Sequence, residues 1–204
     1  MNAAEEKNRL RRIMRQRLRT LPAEWRENAA AALCARLLAS PLPGAAAAMV
    51  GYLHIQQEPA LETLFHQWLS LPGRKLFLPR FNAADGCYDL AAVTSITGDC
   101  RPGKFGIPEP CAELPAAGTL PSSTLWLSPG LAFSRRSGVR LGRGGGYYDR
   151  LLQRFPHAVT VGIAWENQLL DDLPQEVHDF RMQYIATPDH LYPVDRSEPP
   201  SSNE

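Results

Sequence analysis

The chain has 204 residues, of which 44% are apolar and 21% charged, and its formal net charge is +1 at pH 7. That length suits one domain with a real hydrophobic core, the composition is that of an ordinary globular protein, and so small a net charge names no polyanionic partner. No apolar run approaches the roughly 20 residues of a membrane span, and the N-terminus is too charged for a signal sequence.

Residues 7–19, KNRLRRIMRQRLR, carry Leu10, Ile13, Met14 and Leu18 at helical spacing. The same stretch holds seven basic residues and no acidic one. At about 100° per residue, Met14 and Leu18 fall within about 20° of Lys7, and Arg11 within about 40°. Arg9, Arg12 and Arg19 fall on the other side. Lys7 and Arg11 therefore point inward on an amphipathic basic helix. An inward cation needs an anionic partner or a route to water; an internal carboxylate and a bound phosphate serve equally well.

A second, Ala-rich helix is expected from Pro22 to about Leu38, stopped by PLPG at 41–44. AMVGYLHI (48–55) reads as a buried strand, and a helix begins near Pro59 and runs through ALETLFHQWL. RKLFLPRF (74–81) and, after an ADG turn, CYDLAAV (87–93) read as strands. Residues 98–121 read as loop, rich in Gly and Pro. A short strand is expected over 124–130, a helix over about 147–155, a strand over 158–165, and a last one over 183–187. Strands alternating with helices predict an α/β fold, a single domain with a parallel or mixed central sheet flanked by helices. The domain is expected to span 1–194, with a disordered, polar, Pro-rich tail over 195–204.

Cys34, Cys87, Cys100 and Cys111 form no C-x-x-C pair and read as free thiols, which fits a reducing cytoplasm.

RLGRGGGYYDRLL, residues 140–152, carries four glycines in the five positions from Gly142 to Gly146. Consecutive glycines permit positive φ and let a ligand touch the backbone. Successive N–H groups then form an anion site, reinforced by a following helix start. Arg140 and Arg143 add mobile cations suited to phosphate or carboxylate, and Asp149 is positioned to hold Mg²⁺ on a bound phosphate. No G-K-[ST] follows, so this is not a P-loop, and it lies too late in the chain for the dinucleotide fingerprint. A flexible strand-to-helix turn is the plain alternative.

The chain resembles the 5-formyltetrahydrofolate cyclo-ligase family. The resemblance runs through KNRLRRIMRQRLRTLPAEWR, GYLHIQQEPAL, GRKLFLPRF, KFGIPEP, SPGLAF and RLGRGGGYYDRLL, in that order, with support from VGIAW and LPQEVHDFRMQYIATP. It implies an ATP- and Mg²⁺-dependent conversion of 5-formyltetrahydrofolate to 5,10-methenyltetrahydrofolate. The formyl oxygen is phosphorylated, N10 attacks the activated carbon, and phosphate leaves with ADP. The implied ATP site is Lys7, Asn8, Arg9, Leu10 and Arg11, with Arg140, Leu141, Gly142, Arg143, Gly144, Gly145, Gly146, Tyr147 and Tyr148. Arg143 is implied as the catalytic residue stabilising the transferring phosphoryl group, and Asp149 as the metal ligand. Leu53, Glu58 and Tyr147 are implied to bind the folate, and Phe105 to pack near it.

Three departures from the family pattern stand out. Gly145 replaces a lysine of some members, and Gln183 replaces a second acidic metal ligand. FSRRSGVR is one residue longer than usual and lacks an aspartate after its phenylalanine. These keep open a catalytically silent paralogue that binds nucleotide or folate. A nucleic-acid-binding module using Arg9, Arg12 and Arg19 is a second alternative, and a sugar-phosphate isomerase or acyl-CoA-transferase-like enzyme a third. The reading favours a cytoplasmic monomer acting on small molecules, away from membrane and nucleic acid.

Overall fold

The computed structural model describes residues 2–176 and 179–195, with the backbone alone at Phe105. In chain order the elements are α1 (Ala3–Arg19), α2 (Ala23–Ala39), α3 (Pro41–Ala45), β1 (Ala48–Val50), α4 (Glu62–Leu69), β2 (Lys75–Asn82), β3 (Cys87–Val93), α5 (Ile96–Asp99), β4 (Cys100–Pro102), β5 (Pro108–Pro110), β6 (Thr124–Pro129), β7 (Ala132–Ser134), β8 (Arg140–Leu141), α6 (Tyr147–Gln153), β9 (Val159–Ile163), β10 (Leu169–Leu170), β11 (Tyr184–Ala186) and β12 (Leu191–Pro193). Seven strands form the central sheet in the order β12-β11-β9-β6-β1-β2-β3. The inner pairings are parallel, and the two edge pairings, β2 with β3 and β11 with β12, are antiparallel. The fold is therefore mixed α/β, as expected.

The inner strands are short and apolar because both faces of the sheet are covered. Successive side chains alternate between faces. Met49, Leu76, Leu78, Leu125 and Leu127 face a cluster completed by Leu33 and Leu37 of α2 and by Leu64, Phe65 and Trp68 of α4. Val50, Phe77 and Trp126 face the other cluster, which includes Leu151 and Leu152 of α6. A third cluster seats α1: Met14 and Leu18 pack with Ala29, Ala30, Leu131, Leu141 and Trp165. The buried residues of α1 are Lys7, Met14 and Leu18, the stripe that the wheel predicts; Ile13, read as part of that pattern, is 38% exposed. An Asn2–Glu5 capping box starts the helix four residues earlier than expected.

Other boundaries shift for physical reasons. The strand expected over 48–55 ends at Val50. At Gly51 a β-carbon would lie 2.3 Å from the Phe65 ring, and the chain turns away into a loop held by side chains. The next helix begins at Glu62, not Pro59, whose carbonyl is taken by the Tyr52 hydroxyl at 2.8 Å. Residues 98–121 are not all loop: they contain the end of α5 and the β4–β5 hairpin. A small second sheet, β10-β7-β8, and the edge strand β12 were not expected; strands of two or three residues are too short to show a period. The tail expected from 195 lies, beyond Asp195, outside the described residues.

From β1, which lies between β6 and β2, the chain moves to β2 on one side and to β6, β9 and β11 on the other. The crevice beyond the carboxyl ends of the strands at such a switch point is where open α/β sheets bind ligands.

Candidate active site

A cleft of about 820 Å³ opens at that switch point. It is lined by Leu53 and Glu58 after β1, Leu78 and Pro79 of β2, Pro129 and Gly130 at the end of β6, the glycine loop, and Lys7 and Arg11 of α1. α1 thus closes over the carboxyl edge of the sheet and brings the first turns of the chain to the loop that follows β8.

The glycine loop owes its course to three glycines with unusual backbone or surroundings. Gly144 and Gly146 have φ of 110° and 64°, which a β-carbon disfavours. Gly145 has room for none, because the Tyr147 ring occupies the place. The loop's acceptors are engaged. Arg11 Nε donates to the Gly142 carbonyl at 3.0 Å, Arg15 Nη2 to that of Arg143 at 3.0 Å, and Arg150 Nη2 to that of Gly145 at 3.1 Å. The Gly146 carbonyl accepts from the Arg150 N–H. Among the described hydrogen bonds none is donated by the N–H groups of residues 142–146. A loop with four of its five carbonyls occupied and its N–H groups left without such bonds is suited to an anion.

The two loop-side arginines do different work. Arg140 is not the mobile cation expected. It is buried, donates from Nη2 to Asp149 Oδ1 at 2.7 Å and from Nη1 to the Pro129 carbonyl at 3.3 Å, and is a strut that orients Asp149. Arg143 is partly exposed and reaches across the cleft, where Nε and Nη2 donate to Glu58 Oε1 at 3.1 and 3.0 Å. Glu58 Oε2 accepts the Ile55 N–H at 3.1 Å. Burial raises the Glu58 carboxyl above its ordinary range, and Arg143 only partly offsets this. The loop that presents Glu58 is pinned by the Gln57 carbonyl on Trp165 Nε1 at 2.7 Å and the Gln56 carbonyl on Arg26 Nη1 at 3.0 Å. Gln56 itself carries a φ of 52°, a strained value for a residue with a side chain.

Lys7 reaches two carboxylates, Glu176 Oε2 at 2.5 Å and Asp179 Oδ2 at 2.6 Å. Both acids line the cleft with it, so the inward cation has internal partners. Of the other α1 residues expected in the ATP site, Asn8 accepts from Arg11 Nη1 at 2.7 Å, Arg9 pairs with Glu6 on the surface, and Leu10 packs against the α1 cluster. None of these three lines the cleft. Leu141, Gly142, Gly144, Gly145, Gly146, Tyr147 and Tyr148 all do.

Tyr147 belongs to an aromatic group with Phe81 and Tyr88, its centroid 5.2 Å from that of Tyr88, and the Arg150 guanidinium lies 5.1 Å from its ring. Burial, then the charge of Glu58, pushes the Tyr148 hydroxyl well up. Gln183 does not line the cleft; its side-chain oxygen accepts the Thr160 N–H at 2.8 Å. The side chain of Phe105 lies outside the described residues. Sequence reading missed Glu176, Asp179 and Arg15. Their partners lie more than a hundred positions away, and only the buried Lys7, which demands an anion, signalled that acids were needed.

Fold and site together define an α/β protein with a cleft at a strand switch point, one end a glycine loop suited to an anion and the other a carboxylate among apolar and aromatic side chains. Comparison with known proteins makes this specific. The model of the 5-formyltetrahydrofolate cyclo-ligase family matches residues 3–188, and the chain belongs to that family. A 5-formyltetrahydrofolate cyclo-ligase of Mycolicibacterium smegmatis is 33% identical over 188 residues, 89% of this chain and 93% of the relative. One from Escherichia coli K12 is 29% identical over 184 residues, 88% of this chain and 99% of the relative. The NMR structure of Aquifex aeolicus 5,10-methenyltetrahydrofolate synthetase matches with a TM-score of 0.79 at 28% identity, covering 97% of this chain and 98% of that one.

Proposed function

We propose that this protein converts 5-formyltetrahydrofolate to 5,10-methenyltetrahydrofolate, with ATP as co-substrate and release of ADP and phosphate. The observation that carries the reading is the Arg143–Glu58 contact, which joins the glycine loop to the carboxylate of the folate half. Phosphoryl transfer to the formyl oxygen has to cross that boundary. N10 then attacks the formyl carbon, its proton leaves, and the C–O bond to phosphate breaks as the methenyl cation forms. Such chemistry needs positioning and charge neutralisation more than covalent help.

The free N–H groups of residues 142–146 cradle the phosphates, with Lys7 and Arg11 beside them. Arg143 moves its charge from Glu58 to the transferring phosphoryl group. Glu58, Leu53 and Tyr147 bind the folate. Mg²⁺ in nucleotide sites is held by one or two carboxylates together with phosphates and water. Among the described residues there is no cluster of three or more His, Cys, Asp or Glu able to cage a metal, and Asp149, aimed by Arg140, fits the role of a single carboxylate ligand. The ion would offset phosphate charge. Residues 1–194 acting as one monomeric domain in the cytoplasm complete the proposal; no described helix is long and apolar enough to cross a membrane.

The test follows absorbance in the methenyl-folate band with 5-formyltetrahydrofolate, ATP and Mg²⁺, beside Arg143→Ala. A rise that needs ATP and is lost in the variant supports the reading. No rise from folded protein that still binds both ligands means a silent paralogue.

A further inference from the structure

The loop from Gly142 to Gly146 is held in place by side chains of other elements. Glycine on either side of Arg143 lets the peptide planes between them turn over at little steric cost, so local sterics do not decide which way their N–H groups point. Two arginines one turn apart on α1 decide it. Arg11 Nε holds the Gly142 carbonyl and Arg15 Nη2 the Arg143 carbonyl, each at 3.0 Å. The described chain has no cis peptide bond, and in a planar trans peptide the N–H points opposite to the carbonyl. The N–H groups of Arg143 and Gly144 are therefore both turned away from α1. Successive N–H groups on one side form a concavity for an anion, and neither of these two donates a hydrogen bond among the described residues.

Arg11 and Arg15 differ in one respect. Arg11, Arg143 and Gly144 line the cleft, whereas Arg15 does not. Arg11 can touch a ligand as well as the loop. Arg15 is half-buried, and its guanidinium donates to the Arg143 carbonyl. Apart from the long-range field of its charge, what Arg15 does for a ligand in the cleft it does through that peptide. Gly144 has a φ of 110°, a value that belongs to glycine, so the residue after the held peptide is one that permits either orientation. The bond from α1 selects one of them.

We propose that Arg15 is a positioning residue for the nucleotide: by holding the Arg143 carbonyl it keeps the Gly144 N–H presented to a phosphate of ATP. Without that bond the peptide between Arg143 and Gly144 turns over in a fraction of the molecules, and a carbonyl oxygen then faces the phosphate in place of a donor. Donors fixed in advance need no reorganisation when the anion arrives. This rests on the ATP reading of the glycine loop.

The experiment compares wild type, Arg15→Met, Arg15→Lys and Arg17→Met in separate titrations with ATP, inorganic triphosphate and 5-formyltetrahydrofolate, and in thermal unfolding. Arg17 is the control for charge. It lies on the same helix and also donates to a distant carbonyl, that of Asn167 at 3.0 Å, but neither residue lines the cleft. Arg15→Met should raise the Kd for ATP and for triphosphate by the same factor, about 10-fold, with folate Kd unchanged and Tm within about 4 °C of wild type. Arg15→Lys, which keeps a donor, should recover most of the loss, and Arg17→Met should show none. ATP and triphosphate affinities within about twofold of wild type in Arg15→Met would overturn the proposal. So would an equal loss in Arg17→Met, which marks charge alone, or a loss shared by folate affinity and Tm, which marks a structural strut. A wild type that binds neither ATP nor triphosphate would overturn the underlying reading, and that control is read first.

Discussion

Tyr147 lies so close over Gly145 that a β-carbon at 145 would sit 2.5 Å from its ring. The glycine is therefore a seat for the aromatic ring as well as a hinge in the loop. A lysine at this position, as the family resemblance leads one to expect, demands a different place for the tyrosine. The cation and the ring are alternatives in one volume.

Gly145→Ala should leave global stability nearly unchanged, because Gly145 is exposed and the displaced ring is partly exposed. It should weaken 5-formyltetrahydrofolate binding by about 10-fold, the order expected when an aromatic contact is misplaced. Titration with each substrate separately checks this: a loss confined to ATP would contradict the assignment of Tyr147 to the folate.

Lys7→Met and Arg9→Ala separate the two faces of α1. Removing Lys7 leaves Glu176 and Asp179 without their shared cation. The cost should fall below the about 3–5 kcal/mol of a fully buried pair, because the Glu176 side chain is 36% exposed and screened; about 1–3 kcal/mol is expected in denaturant unfolding. ATP affinity should fall with it. Arg9→Ala, which removes only a surface pair with Glu6, should change neither. Salt-sensitive RNA or DNA binding that depends on Arg9 would instead support the nucleic-acid alternative.

Glu58 sets a pH dependence of unusual sign. Its folded-state carboxyl titrates above its ordinary value, first because of burial. Between the unfolded and folded values the native state binds more protons, so stability falls as pH rises through that window. Glu58→Gln removes the ionisation. The wild type should therefore lose Tm relative to Glu58→Gln as pH climbs from the ordinary glutamate range toward neutrality. A difference that is flat with pH would contradict the burial argument.

Asp149→Asn keeps the shape of the side chain but removes the charge facing Arg140. At fixed ATP, the Mg²⁺ concentration for half-maximal turnover should rise about 10-fold or more, the size of a lost charged ligand contact. The Mg²⁺ titration needs its own thermal melt, since the variant also leaves a buried guanidinium without its anion.

Much of this was legible in the residues. The period of Lys7, Met14 and Leu18 placed a cation on the inner face of α1, and the helix lies as that period requires. The glycines of the 142–146 loop announced a backbone that a ligand can approach. Pairings across distant sequence were not legible. Arg140 reads as a free cation until Asp149 and the Pro129 carbonyl are seen around it. The strand expected through Ile55 failed because the residue that ends it, Gly51, is chosen by the Phe65 ring of another element.

Lys7 meets its carboxylates across 169 and 172 positions of chain. On a ribosome that emits about 5–20 residues per second, the first helix is made some ten to thirty seconds before the acids that neutralise its inner face. Until then α1 has no complete dock, and its cation stays hydrated rather than buried. The docking of α1 thus waits for the C-terminal part of the chain, and a chain truncated before Glu176 would lack both partners of Lys7 together with β11 and β12 of the central sheet.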